Sequence, residues 1–231
     1  MSAERIVGVL VEFDGVVANT AAARRSAFGL VLREHDIALT DAEYWETCAG
    51  WPTGDAVRTL ARQFRLALDA TAIDLLALRI DREYSSQVGK GVVLAEGARQ
   101  ALERMAARAR LAAVTRLRRA DMQVLLSLAR LEHVFGFVIG EEDAHPPKPD
   151  PAPYQAALRR LDRFRGGQPG RVIALENGVA GIRSARAAGL PCIAVGEQPA
   201  HVAMEADAYV PAMTDLDLTA LATLLESGGT A

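Results

Sequence analysis

Short apolar runs recur along this chain, each followed by a stretch with helical spacing. That alternation restricts the fold more than any single motif does. The runs lie at 6–13, 111–115, 137–140, 172–176, 193–195 and, less markedly, 208–210. Most are continuously apolar instead of alternating, the pattern of strands covered on both faces. Helical patterns fill 95–109, 118–130, 151–163, 178–189 and 215–226. Alternation of this kind predicts a doubly wound, mainly parallel α/β sheet. Ligands of such sheets bind beyond the carboxyl ends of the strands.

The alternation breaks once. Almost a hundred residues without a convincing strand separate the first two runs, and helical patterns occupy 20–35, 41–48, 54–66 and 70–87. Asp69 and Thr71 offer caps for the last of these and Gly89 a stop. A structureless loop of that length is implausible in a compact chain. We therefore expect an inserted all-helical domain, 18–89, in an α/β core made of 1–17 and 90–231. It leaves and rejoins the core close to the end of the first strand, so it should sit over the ligand site. The tail 227–231 should fray.

Composition removes several classes. The net charge is −3 and the pI about 5.9, so no electrostatic footprint for nucleic acid or an anionic membrane is present. The two cysteines, Cys48 and Cys192, lie too far apart in sequence for a metal knuckle and give no disulfide framework. No apolar stretch approaches 18 residues and no signal-peptide pattern opens the chain, so a cytoplasmic location is expected.

Chemistry gathers at the predicted strand ends. Glu12 and Asp14 close the first strand, followed by Gly15, which permits a tight turn. Thr115 ends the second strand. Lys148 sits in Pro-Pro-Lys-Pro-Asp-Pro, and Glu176-Asn177-Gly178 closes the fourth strand. Transfer of a phosphoryl group needs an in-line nucleophile, and a carboxylate can split the step through an acyl phosphate. The equatorial oxygens need positive charge and donors, which a lysine, a threonine hydroxyl and a carboxylate-held Mg²⁺ supply. A second carboxyl two residues after the nucleophile lies on the same side of an extended strand and can act as general acid and base.

These motifs, in this order and with an insertion of this size, resemble the haloacid dehalogenase-like hydrolases with a small helical cap, the group holding β-phosphoglucomutase and phosphoglycolate phosphatase. The resemblance covers essentially the whole chain. It implies a Rossmann-like core of that type and places the nucleophile at Glu12 and the general acid/base at Asp14. It places the phosphate-binding groups at Thr115 and Lys148, and a Mg²⁺ site at Glu12, Asp14, Glu176 and Asn177. Gly50, Trp51 and Thr53 resemble the specificity loop, with Gly15 and Arg116 beside the substrate and Arg58 further along the same segment.

Two positions depart from the family pattern. The family has Asp where this chain has Glu12, and usually Asp where it has Asn177. One extra methylene moves a carboxylate by roughly 1 Å, a displacement that can cost about 10²-fold in rate. An amide in place of a metal-facing carboxylate removes a full charge, which weakens or loses Mg²⁺. Arg116 stands where a small polar residue is usual, as an extra phosphate clamp or a plug. The acidic run Glu141, Glu142 and Asp143 could lend a carboxylate, and His145 could approach the cleft.

Three functions stay open on these residues. One is a Mg²⁺-dependent phosphatase or phosphomutase acting on a small phosphorylated metabolite, with weak or altered activity. Another is a catalytically degenerate relative that binds a phosphorylated ligand or a protein partner. The third is an enzyme repurposed to different chemistry.

Overall fold

The structure, a computed structural model, describes residues 5–165 and 169–227; most of the tail expected to fray lies outside them. Six parallel strands form one sheet: β1 (Ile6–Val11), β2 (Arg110–Val114), β3 (Phe137–Ile139), β4 (Arg171–Glu176), β5 (Cys192–Val195) and β6 (Ala208–Val210). Their spatial order is β3-β2-β1-β4-β5-β6, with Val9 opposite both Leu111 and Ile173. Chain order reverses at β1, so β1 and its neighbours β2 and β4 flank the crevice where this fold class binds ligands.

The sheet is buried on both faces, as the continuously apolar runs predict. Val9 and Val11 belong to one core cluster and Leu10 to the other, and all three are fully buried. Each such side chain contributes about 1.5–3 kcal/mol relative to exposure. Gly8 allows the close packing on that second face: a Cβ there would lie 2.6 Å from Leu161 on the helix after β3.

Between β1 and β2 run α1 (Ala21–Arg33), a single turn α2 (Asp41–Glu43), α3 (Thr53–Gln63), α4 (Ala70–Val88) and α5 (Ala98–Ala106). The core then adds α6 (Arg119–Ala129), α7 (Ala152–Arg165), α8 (Val179–Ala187), α9 (Ala200–Ala203) and α10 (Leu218–Ser227). Several predicted boundaries shift. The pattern at 41–48 is not one α-helix: α2 carries a full Thr40–Glu43 capping box, and Tyr44–Cys48 then continues as a wider π turn. That turn delivers the chain to Gly50 at φ +77°. The pattern at 95–109 shortens because Gly97, at φ +73°, precedes the first helical residue. Asp69 caps α4 as expected, accepting from the Ala72 N–H at 2.7 Å. Thr20 precedes α1 in the N-cap position yet makes no side-chain cap; its hydroxyl is turned to Asp14 instead.

Candidate active site

Local chain geometry at the end of β1 sets the site. Gly15 takes φ +78°, and a Cβ there would lie 1.7 Å from the Asn177 amide, so only glycine fits this turn. Across from it, Glu176 lies directly over Gly181 of α8, where a Cβ would come within 2.1 Å of the carboxyl carbon. These two glycines let the ends of β1 and β4 come together.

Lys148 occupies the centre. Its ammonium donates to Glu12 Oε2 at 2.9 Å, Glu176 Oε1 at 2.5 Å and the Val114 carbonyl at 2.7 Å, and it lies 5.1 Å from the Tyr154 ring centroid. An ammonium has three N–H donors, so all of them are engaged. Glu12 Oε1 accepts from the backbone N–H groups of Phe13 at 2.7 Å and Asp14 at 3.2 Å. Glu176 Oε1 also accepts from the Tyr154 hydroxyl at 2.6 Å, and its Oε2 from the Asn177 N–H at 3.1 Å. Glu12, Glu176 and Lys148 are almost fully buried.

Burial pushes the Glu12 carboxyl up, but the positive charges of Lys148 and Arg116, with the hydrogen bonds, outweigh it and hold the group below its ordinary value. Burial likewise disfavours the Lys148 ammonium, yet Glu12 and Glu176 together keep it charged. Burial dominates at Glu176 and raises it despite Lys148. Asp14 is raised by burial and then by the Glu12 charge. Its Oδ1 accepts from Thr20 at 3.1 Å and from the Tyr84 hydroxyl of α4, so a helix of the insertion is tied to the end of β1.

Two guanidiniums complete the cluster. Arg24 of α1 donates to Thr53 Oγ1 at 3.0 Å and reaches the Trp51 carbonyl at 3.5 Å; Arg116 donates to the same carbonyl. Thr53 in turn donates to Asp81 Oδ1 at 2.6 Å. Three carboxylates (Glu12, Asp14, Glu176) thus stand against three cations (Lys148, Arg24, Arg116) in one buried neighbourhood.

The structure therefore brings Glu12, Asp14, Gly15, Gly50, Arg116, Lys148, Glu176 and Asn177 around one small cavity of about 30 Å³. Thr115 faces a second, larger cavity of about 450 Å³ between the insertion and the strand ends, and its hydroxyl accepts from the Leu117 N–H at 3.2 Å. Thr53 lines the larger cavity, whereas Trp51 presents its carbonyl to the arginines and packs its ring on the core. Arg58 is exposed and pairs with Asp55 at 2.5 Å. The acidic run does not lend a carboxylate to Lys148 or Asn177. Glu142 accepts from the Arg119 N–H at 3.1 Å, Asp143 pairs with the Arg119 guanidinium, and Glu141 lines the larger cavity. His145 is exposed.

The residues present do not fit Mg²⁺ in this arrangement. An ammonium stands between the Glu12 and Glu176 carboxylates, in the place a cation shared by them would take. Magnesium demands near-octahedral oxygens at roughly 2.1 Å. Among the described residues no group of three or more Asp, Glu, His or Cys has metal-holding geometry. Glu12, Asp14, Glu176 and Asn177 line the one small cavity, with Glu12 Oε1 turned to the N–H groups of its own loop.

Four participants went unnoticed in the sequence. Arg24 lies four residues after Thr20, hence on the same helix face, and that spacing could have flagged it. Thr20, Tyr84 and Tyr154 gave no comparable signal: each reads as an ordinary cap or core position, and only tertiary packing aims its hydroxyl at a carboxylate.

A parallel sheet with a helical insertion and a buried carboxylate–lysine cluster at its switch point defines an α/β protein of the doubly wound class. A family model described as haloacid dehalogenase-like hydrolase matches residues 9–195, and the chain belongs to that family. Solved structures agree on the fold. CbbY from Rhodobacter sphaeroides, in complex with xylulose-(1,5)bisphosphate, is 24% identical with a TM-score of 0.74, over 94% of this chain and 99% of that one. β-Phosphoglucomutase from Clostridium difficile is 15% identical with a TM-score of 0.75, over 96% and 98% of the two chains. A haloacid dehalogenase-like protein of unknown function from Agrobacterium tumefaciens is 21% identical with a TM-score of 0.77, over 96% and 99%. Among curated proteins none matches the chain. Among the described residues no helix is long and apolar enough to cross a membrane.

Proposed function

We propose that this protein binds a small phosphorylated metabolite in the cleft between its helical insertion and the strand ends, and that Glu12 serves as a buried counter-ion instead of a nucleophile. One observation carries the reading. The Glu12 carboxylate is spent on Lys148 and on two backbone N–H groups, leaving neither oxygen poised for in-line attack. The cavity of about 30 Å³ beside Glu12 shares Asp14, Arg24, Arg116 and Lys148 with the larger one. The larger cavity is of ligand size. The relatives' ligands, xylulose bisphosphate in CbbY among them, supply the ligand class.

The test is a reversion series with a generic phosphate monoester, p-nitrophenyl phosphate, in Mg²⁺. The native chain should hydrolyse it no faster than Glu12→Gln, and Glu12→Asp/Asn177→Asp should gain at least about 10²-fold. Native turnover that disappears in Glu12→Gln would overturn the reading and restore an enzyme with a glutamate nucleophile.

A further inference from the structure

Resting on the ligand-binding reading, we propose that Arg24 and Arg116 form an oxyanion clamp, one guanidinium from the insertion and one from the core, and that the ligand's phosphoryl group binds there and not at Lys148. Lys148 has no proton to offer, since its three donors are engaged by Glu12, Glu176 and Val114. The two arginines are in the opposite condition. Together they carry ten N–H donors; their hydrogen bonds go to the Trp51 carbonyl and Thr53 Oγ1, and the Arg24 guanidinium also lies over the Phe28 and Tyr84 rings at 5.7 and 5.8 Å. The Arg24 side chain is more than nine-tenths buried, yet its Nε–H has no partner. No carboxylate stands within ion-pair distance of either guanidinium among the described residues.

A buried donor without an acceptor is costly, and two like charges directed at one neutral carbonyl repel each other. Burial and the Arg24 charge hold the Arg116 guanidinium below its ordinary value. A dianionic group between the two guanidiniums would remove that repulsion. Planar guanidiniums suit this through paired N–H···O bonds. Both side chains line the 450 Å³ cavity, so a ligand body extending from the clamp has room there.

Inorganic phosphate titrated calorimetrically into the full chain tests the clamp. Native protein should bind it with an affinity that falls with added chloride. Arg24→Gln and Arg116→Gln should each weaken binding by at least about tenfold, and Arg116→Lys, which keeps charge but loses the fork, should fall between. Thermal unfolding of each variant checks folding. If buried Arg24→Gln fails to fold, the partly exposed Arg116 variants carry the test. No phosphate binding by the native chain, or unchanged affinity in Arg116→Gln, overturns the clamp. The two failures are distinguishable. Hydrolysis lost in Glu12→Gln sinks the counter-ion role and puts the phosphoryl group beside Lys148, whereas phosphate binding unchanged in Arg116→Gln sinks the clamp alone.

Discussion

Replacing Lys148 by methionine keeps the side chain's bulk and removes its charge, and the structure sets the cost. The ammonium is 2% exposed and lies 2.9 Å from Glu12 and 2.5 Å from Glu176. Taking one partner from a buried ion pair costs about 3–5 kcal/mol, mostly because a charge is left unpaired. Two carboxylates lose their partner here, yet each keeps other donors: Phe13 and Asp14 N–H for Glu12, Tyr154 and Asn177 for Glu176. Those bonds hold the expected loss to about 3–5 kcal/mol instead of twice that. Urea unfolding at pH 7 measures it, with an unchanged slope confirming that the same surface unfolds. The sign of the pH dependence is fixed as well. Burial already holds the folded Glu176 carboxyl above its ordinary 4.5, and loss of the ammonium moves it and Glu12 further up; a raised group loses its stabilising contribution as pH rises through the folded value. The deficit of the variant against the native chain should therefore shrink between pH 7 and about pH 5. Adding Glu176→Gln to Lys148→Met should restore at least about 1 kcal/mol. A loss below about 1 kcal/mol, or one indifferent to pH, would refute the account of Lys148 as the common counter-ion.

Two further changes probe neighbouring contacts. Asp14 is held above its ordinary 3.8 by burial and by Glu12, so its ionised form weakens the fold at high pH. Asp14→Asn keeps an acceptor for Tyr84 and Thr20 and should melt higher than the native chain at pH 8, the advantage vanishing below about pH 4. Equal melting temperatures at pH 8 would contradict that. Gly181→Ala places a methyl 2.1 Å from the Glu176 carboxyl carbon and should cost about 1–3 kcal/mol in urea, despite alanine's better helix propensity. A gain in stability would mean that Glu176 does not rest on Gly181.

Much of this architecture is legible in the sequence because the strands are buried on both faces. Runs such as Val9-Leu10-Val11 and Ile173-Ala174-Leu175 leave little alternative to a parallel sheet. The positions of Glu12 and Glu176 follow from strand ends, which a linear pattern can locate, and that of Lys148 from the proline-bracketed loop before α7. What a linear pattern cannot carry is the direction of a carboxylate. Sequence flags the extra methylene of Glu12 but not where it sends the carboxylate, which folds onto the Phe13 and Asp14 N–H groups. Nor does spacing within one element reveal Tyr84 meeting Asp14 across 70 residues of chain, or Arg24 and Arg116 sharing one carbonyl.

Gly50 of the insertion meets Gly178 at the end of β4 without any side chain between them. A Cβ on Gly50 would lie 3.0 Å from the Gly178 Cα, and one on Gly178 would lie 2.8 Å from the Gly50 Cα. Backbone touching backbone makes a mechanical end-stop. The insertion and the core meet here in hard van der Waals contact, not through the soft reach of flexible side chains. Trp51, next in the chain, offers the carbonyl to which both arginines donate. A single methyl at either glycine would act as a shim between insertion and core while every charged group stayed in the chain.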